Sequence, residues 1–398
     1  MRDGPLAGVR VVDLTNVLAG PYCTYQLALL GAEVVKIEAP ERGDLARQLG
    51  ADADLNSRGL GTSFLAQNAG KKSVELDLKS EAGKRGLLEM VKDADVLVEN
   101  FRPGVMERLG LSWPHLEQVN PRLVYCAISG FGQSGPMRDR PAYDQIIQGL
   151  SGMMSMTGTP ETAPLRVGFP ICDTIGGLVA ATAINAALAG RSSSGTGCFI
   201  DVSMLEASIS AMGWAVSNYL ISGVESGPMG DQNATSAPSG TFRAADGPLN
   251  IAANQQEQYV ELCRIIGRPE LVDDQRFGDR EARKLNREAL NKELNEALKT
   301  RPAIDWETEL SAAGVPAARV LSLAEAMTLE QLHVRGFFAD LPMPGDREHT
   351  VRVVGNGATF DGEPSVPILP PPLLGEHTDA ELAGAAGVET PDHDAATS

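Results

Sequence analysis

Cysteine and histidine are scarce, five of each in 398 residues. Cys23, Cys126, Cys172, Cys198 and Cys263 are widely spaced and odd in number, which excludes a disulfide framework and a Cys-x-x-Cys metal knuckle. His115, His333, His349, His377 and His393 are equally scattered, with no pair at helical ligand spacing, so no metal centre is expected. Basic runs are also lacking: 34 Lys and Arg face 52 Asp and Glu, a net charge of −18, and no Lys/Arg run exceeds two. Phosphate backbones and anionic membranes would repel such a chain, which argues against nucleic-acid binding. Long apolar runs are missing too, since Gly176 to Ala189 falls short of the roughly 20 residues of a bilayer span. Met1-Arg2-Asp3-Gly4-Pro5 leads into a strand-like segment without an apolar leader, and a cytoplasmic protein with no membrane partner is expected.

What is present is alternation. Val9 to Leu14 reads as a buried strand, Pro21 to Leu30 as a helix with proline in its first turn, and Glu33 to Ile37 as a second strand. A helix over Ser80 to Val91, a strand at Val96 to Val98, a helix after Pro103 and a strand at Leu123 to Ile128 continue the pattern. This order predicts an α/β fold, a parallel sheet with helices on both faces. A helix over Asp173 to Ala189, a strand at Cys198 to Val202 and a helix over Leu205 to Leu220 close a large domain of residues 1–220. Residues 221–240, rich in Gly, Ser and Pro, read as a linker. Residues 241–325 read as a small α+β domain, a hairpin followed by helices near Glu257 to Ile266, Arg283 to Leu298 and Pro302 to Ala313. Residues 326–385 return to the large domain and end in a helix with the capping-box spacing Thr378-x-x-Glu381, and residues 386–398 form a polar, flexible tail.

Gly130-Phe-Gly-Gln-Ser-Gly135 matches the G-x-G-x-x-G of dinucleotide-binding turns, but Pro136 and Pro141 occupy the place of the phosphate-facing helix. It is read as a glycine-permitted turn, which leaves a dehydrogenase as a minor alternative. A P-loop and a G-x-S-x-G elbow are both absent. Asn68, Lys71 and Lys72 before one strand, and Asn100-Phe-Arg-Pro-Gly104 after another, place cations and amides where doubly wound sheets bind ligands. Solvated surface charge is the competing reading. Asp173 stands between an apolar loop and an Ala/Gly-rich helix, a position that is more often an N-cap but can also hold a backbone-placed nucleophile.

Across nearly its whole length the chain resembles the class III CoA-transferases, the family of formyl-CoA transferase, carnitine CoA-transferase and the α-methylacyl-CoA racemases. The resemblance rests on an ordered series of motifs: Leu6-x-Gly8-Val-Arg-Val-Val-Asp13-Leu14, Val17-Leu-Ala-Gly20-Pro21, Leu30 to Glu38, Gly43-Asp44, Lys71-Lys72-Ser73 and Glu99 to Gly104. It continues through Gly130 to Pro136, Ala142-Tyr143-Asp144, the Asp173 loop and Leu373 to Thr378. It implies a Rossmann-like large domain, a homodimer of interlocked chains, and Asp173 as the carboxylate that attacks an acyl-CoA thioester. A CoA thioester would then be a substrate, with no tightly bound cofactor. By the same resemblance Val17 and Ala19 contact CoA through their backbone, and Asn68, Lys71, Lys72, Asn100, Phe101, Arg102 and Arg108 hold its phosphates, adenine or pantetheine. Tyr143 would stand beside the reacting centre, with a packing tyrosine as its alternative.

The racemases of this family place a histidine where this chain has Tyr143, because α-proton exchange needs an acid and a base on opposite faces. Racemase is therefore the second reading, and a non-catalytic CoA-binding protein a third. The glycine-rich loop of formyl-CoA transferases is absent, which argues against formyl or oxalate specificity. Asn254, Gln255, Gln256 and Arg47 instead resemble the members that handle succinyl-CoA and small dicarboxylic acids, with amides and a guanidinium for the distal carboxylate.

Overall fold

The computed structural model describes residues 4–385; the expected flexible tail, 386–398, lies outside the described residues. The chain forms two compact units. The larger takes the described residues up to Met153, then Val167–Val216, and resumes at Glu330; the smaller takes Met154–Arg166 and Ser217–Leu329.

The larger unit is organised by a six-stranded sheet: β1 Arg10–Asp13, β2 Glu33–Glu38, β3 Lys72–Glu75, β4 Val96–Glu99, β5 Val124–Ser129 and β6 Cys198–Ser203. All neighbours pair in parallel, in the order β3-β2-β1-β4-β5-β6. Both faces are covered, so the central strands read as continuous apolar runs. Val11, Val34, Val98 and Cys126 face one core with the helices Ala19–Leu29 and Ile171–Ser194, and Val12, Val35, Leu97 and Tyr125 face a second core with Leu87, Met90 and Leu116. Each fully buried Val, Leu or Met side chain contributes about 1.5–3 kcal/mol by leaving water. Strand order reverses between β1 and β4, and the crevice beyond their carboxyl ends is where such sheets bind ligands.

The helix over Ile171–Ser194 is longer than the sequence reading, 24 residues rather than a run ending at Ala189. By length and composition it would suffice to cross a membrane. Its apolar residues Cys172, Ala180, Ala181 and Ile184 are instead packed in the first core. Two glycines on it permit close approach: a Cβ on Gly177 would meet the Ala19 carbonyl oxygen at 2.6 Å, and one on Gly176 would meet Met204 Cγ at 3.0 Å.

The smaller unit contains an antiparallel sheet of β7 Ser239–Arg243, β8 Pro248–Ala252 and β9 Ala317–Arg319, with helices Gln256–Ile265, Arg287–Leu298 and Ala303–Ala312 around Phe242, Leu249, Tyr259 and Trp306. Residues 154–166, assigned by sequence to the large domain, cluster here. Their turn is tied to the segment that follows Ser217: Gly230 N–H donates to the Gly158 carbonyl at 2.6 Å. The expected helix over Leu205 to Leu220 is two helices, Met204–Ala211 and Trp214–Ser222, broken near Gly213, whose φ is +38°.

The C-terminal segment adds a hairpin, Phe338–Met343 with Asp346–Val354, and the helix Thr378–Ala385, which packs Leu382 onto the second core. The capping box expected there is not formed. Glu381 pairs with Lys72 at 2.7 Å and with Arg10 at 2.7 Å, and the Thr378 hydroxyl donates to the Gly375 carbonyl.

Candidate active site

A cavity of about 240 Å³ opens at the strand-order reversal, lined by Asn16, Val17, Leu18 and Ala19 after β1 and by Asn100, Phe101 and Arg102 after β4. Ser129 at the end of β5 and Gly130 after it, with Arg138, Arg140, Tyr143, Asp173 and Met204, complete the wall. Asp173 is the third residue of its helix, whose cap position is Pro170 with no side-chain bond, so Asp173 is not an N-cap. The capping acceptor comes from the next helix over, Asp144–Leu150. Asp144 Oδ1 accepts the N–H of Cys172 at 2.7 Å and that of Asp173 at 3.3 Å. Gln148 donates to Asp144 Oδ2 at 2.6 Å and accepts the Val167 N–H at 2.9 Å, fixing the loop that leads into the helix.

The electrostatics at Asp173 follow from that arrangement. Burial, and then the negative charge of Asp144, push its carboxyl up from the ordinary value to about 7. A helix N-terminus would by itself favour the anion, but the Asp144 carboxylate has taken the N–H groups of that end. Asp173 is thus a carboxylate of raised basicity facing a cavity, the environment expected of a functional acid rather than of a structural ion. The adjacent thiol of Cys172 is buried and pushed up to about 11, mainly by burial, which leaves it unreactive.

The cavity brings together Val17, Ala19, Asn100, Phe101, Arg102, Tyr143 and Asp173 from the residues singled out by sequence. Asn100 also shapes its wall: its side chain accepts the Asn16 N–H and donates to the Asn16 carbonyl, both at 2.8 Å. Tyr143 is 71% exposed, a mouth residue and not a packed one.

Four others are engaged elsewhere. Lys71 is buried and its ammonium meets Asp13 Oδ2 at 3.1 Å, the Pro21 carbonyl at 3.0 Å, Thr24 Oγ1 at 2.8 Å and Asn68 Oδ1 at 2.8 Å, a full complement that leaves no donor for phosphate. Asn68 is consumed in the same cluster and donates to the Phe64 carbonyl. Lys72 pairs with Glu33 and Glu381. Arg47 is buried in a two-point pair with Glu38, at 2.8 and 2.7 Å, and its guanidinium lies 3.7 Å from the Phe64 ring centroid. For Lys71, Asn68 and Arg47 burial corrects the assignment, since a side chain with its donors satisfied inside the protein is not offered to a ligand; Lys72 is only partly buried and is held by its two carboxylates.

Arg108 does not line the cavity; its Nη1 lies beside Gly104, 3.1 Å from where a Cβ would stand. Asn254, Gln255 and Gln256 belong to the smaller unit, where Gln256 accepts from Arg283 at 2.9 Å and Gln255 N–H donates to Gln258 at 3.1 Å. Sequence reasoning missed Arg138 and Arg140 as cavity residues. Two arginines two residues apart, just after the glycine turn of so acidic a chain, were the available signal. That turn binds back onto the protein: Gly132 N–H donates to Ser129 Oγ at 3.0 Å, Gln133 N–H to Asp201 at 2.9 Å, and a Cβ on Gly130 would strike Ala142.

Residues 6–378 match the sequence profile of CoA-transferase family III. The chain belongs to that family. It is 41% identical over 347 residues to the acetyl-CoA:oxalate CoA-transferase of Acetobacter aceti, covering 86% of this chain and 88% of the relative. It is 35% identical to the succinyl-CoA:glutarate CoA-transferase of Mus musculus, covering 94% and 85%. Among solved structures, a CAIB/BAIF family protein from Brucella suis superposes with a TM-score of 0.84 at 34% identity, covering 96% of this chain and all of that one. The protein is therefore an enzyme, a family III CoA-transferase, and acyl-CoA thioesters are its substrates.

Proposed function

We propose that this transferase moves CoA from a short acyl-CoA, succinyl-CoA or a similar donor, to a small dicarboxylic acid, with Asp173 as the covalent carrier. The observation that carries the reading is a basic, half-buried carboxylate at the wall of a cavity that also presents the guanidinium of Arg102. An Asp173 oxygen attacks the thioester carbonyl; a C–O bond forms, the C–S bond breaks, and a mixed anhydride and CoA thiolate result. The thiolate attacks the Asp173 carbonyl, releasing the donor acid and leaving an aspartyl-CoA thioester. An acceptor carboxylate reverses both steps, giving the new acyl-CoA and free Asp173. Each step exchanges one activated acyl group for another, so no nucleoside triphosphate is consumed.

Arg102 with Arg138 and Arg140 suits the phosphates of CoA, by charge and by two-point hydrogen bonding. Val17 and Ala19 offer backbone groups to pantetheine, and the Tyr143 hydroxyl donates to an acyl or acceptor oxygen. Dicarboxylate acceptors are supported by relatives named for glutarate and oxalate; the latter returns oxalate to the panel although the glycine-rich loop is absent. We further infer the interlocked homodimer that the family resemblance implies, with light scattering at twice the chain mass as its check.

The deciding experiment is intact-protein mass spectrometry after incubation with succinyl-CoA and acetyl-CoA, quenched in acid, with hydroxylamine treatment and Asp173→Ala in parallel. A CoA-sized adduct on the wild type, removed by hydroxylamine and missing in the variant, is expected. No adduct with either donor would overturn the covalent route and direct the search to α-proton exchange.

A further inference from the structure

One residue of the cavity wall holds an unusual backbone conformation. Val17 has a φ of +67°, a left-handed conformation in which a β-branched side chain is a genuine outlier. Strain of this kind persists only where the surroundings over-determine it.

The surroundings do so here through a buried carboxylate outside the cavity. Asp44 Oδ1 accepts the Val17 N–H at 2.9 Å and the Ala46 N–H at 2.9 Å, while Asp44 Oδ2 lies 2.9 Å from Lys36 Nζ. Asp44 and Lys36 are both fully buried. The same ammonium donates to the Thr15 carbonyl at 2.6 Å, so one ion pair grips the loop two residues apart, at Thr15 and at Val17. Asp13 Oδ1 accepts the Thr15 N–H and Asn100 clamps Asn16 on both sides, which fixes the residues between. The fixed loop passes into the helix Ala19–Leu29, whose first carbonyl presses on Gly177, one turn beyond Asp173.

We infer that Asp44 is a positioning residue for acyl transfer: its carboxylate holds Val17 in the left-handed conformation and so sets the backbone wall that faces the Asp173 carboxylate. This rests on the covalent reading above. Asp44 does not line the cavity and touches no reacting atom, so its loss should act through the geometry of that wall, on the chemical step more than on donor binding, to which Val17 offers only backbone groups. Small misplacements of a reacting group cost large factors in rate.

The test is a double-mutant cycle of Asp44→Ala and Asp44→Asn, each in the Val17 and the Val17→Gly backgrounds. It is read as the rate of aspartyl-CoA formation and as KM for succinyl-CoA. With Val17 in place, Asp44→Ala should slow adduct formation by about 30-fold and Asp44→Asn, which keeps an acceptor oxygen, by less, with KM rising by a smaller factor than the rate falls. In the Val17→Gly background the same changes should cost no more than about threefold, because glycine adopts positive φ without strain. Equal losses in both backgrounds, or a rate unchanged by Asp44→Ala, would overturn the inference. Should Asp44→Ala fold only with Val17→Gly, that rescue supports it; failure to fold in both backgrounds opposes it. A wild type that forms no adduct sinks the covalent reading instead. The conformational half is then still read by melting: Val17→Gly should melt above Val17→Ala, the reverse of the usual order, and the usual order would refute it.

Discussion

Two carboxylates of the larger unit, Asp13 at the end of β1 and Asp173 at the start of the helix Ile171–Ser194, are the same side chain in opposite circumstances. Asp13 is fully buried, and although burial opposes ionisation, Lys71, Lys36 and the hydroxyls of Thr15 and Thr24 outweigh it and hold the group at about 2. Asp173 is partly exposed, has no cation bonded to it among the described residues, and is held at about 7 by burial and by Asp144. The difference teaches that neither depth nor charge by itself separates the carboxylate at the cavity from the structural one. What separates them is incomplete compensation beside an open cavity: Asp13 is finished as an ion, and Asp173 has no bonded cation among the described residues, an environment that suits the role proposed for it.

The contrast can be broken most strongly at its structural member. Lys71→Met leaves Asp13 buried without its ion pair and should destabilise the fold by about 3–5 kcal/mol, read from urea midpoints. The molecules that remain folded should form the aspartyl-CoA adduct within about threefold of the wild-type rate; a larger loss would mean the two carboxylates do not act separately. Next in size is the pH response. On the proposed covalent route the carboxylate of Asp173 is the attacking form, so adduct formation should rise with pH through about 7 and be roughly tenfold slower at pH 6 than at pH 8.5. A limb near the ordinary carboxylate range would show that Asp144 and burial do not govern the proposed nucleophile.

The smallest effect concerns stability. With its value raised, Asp173 holds a proton in the folded state that the unfolded chain gives up, so its contribution to stability declines as pH climbs from about 4 to about 7. Asp173→Asn removes that dependence and should melt about 3 °C above the wild type at pH 8, with no gain at pH 4, by calorimetry at both values. Equal melting temperatures at pH 8 would place the aspartate in a better compensated setting than its surroundings indicate.

The sheet was legible because buried parallel strands are continuous apolar runs. Val9 to Leu14 and Leu123 to Ile128 could hardly be anything else, and they became β1 and β5 within a residue or two. The helix over Leu205 to Leu220 was misread because its apolar spacing continues past Gly213, where the backbone breaks. At the site, Asp173, Arg102 and Tyr143 could be placed from motifs and strand ends. Lys71 and Arg47 could not, because a motif does not say whether a cation faces solvent or an internal carboxylate. Asp13 and Glu38 decide that, from 58 and nine positions away in sequence. Asp144 was visible as part of a motif, but its grip on the helix that carries Asp173 depends on a tertiary contact.

The distribution of thiols has a practical bearing. Of the five cysteines, Cys23, Cys126, Cys172 and Cys263 are buried, and Cys198, at the start of β6, is exposed. A maleimide dye applied to the folded chain should therefore report from one edge of the sheet, leaving the neighbour of Asp173 untouched. The natural sequence thus arrives with a single addressable handle for fluorescence work, and no cysteine has to be engineered out first.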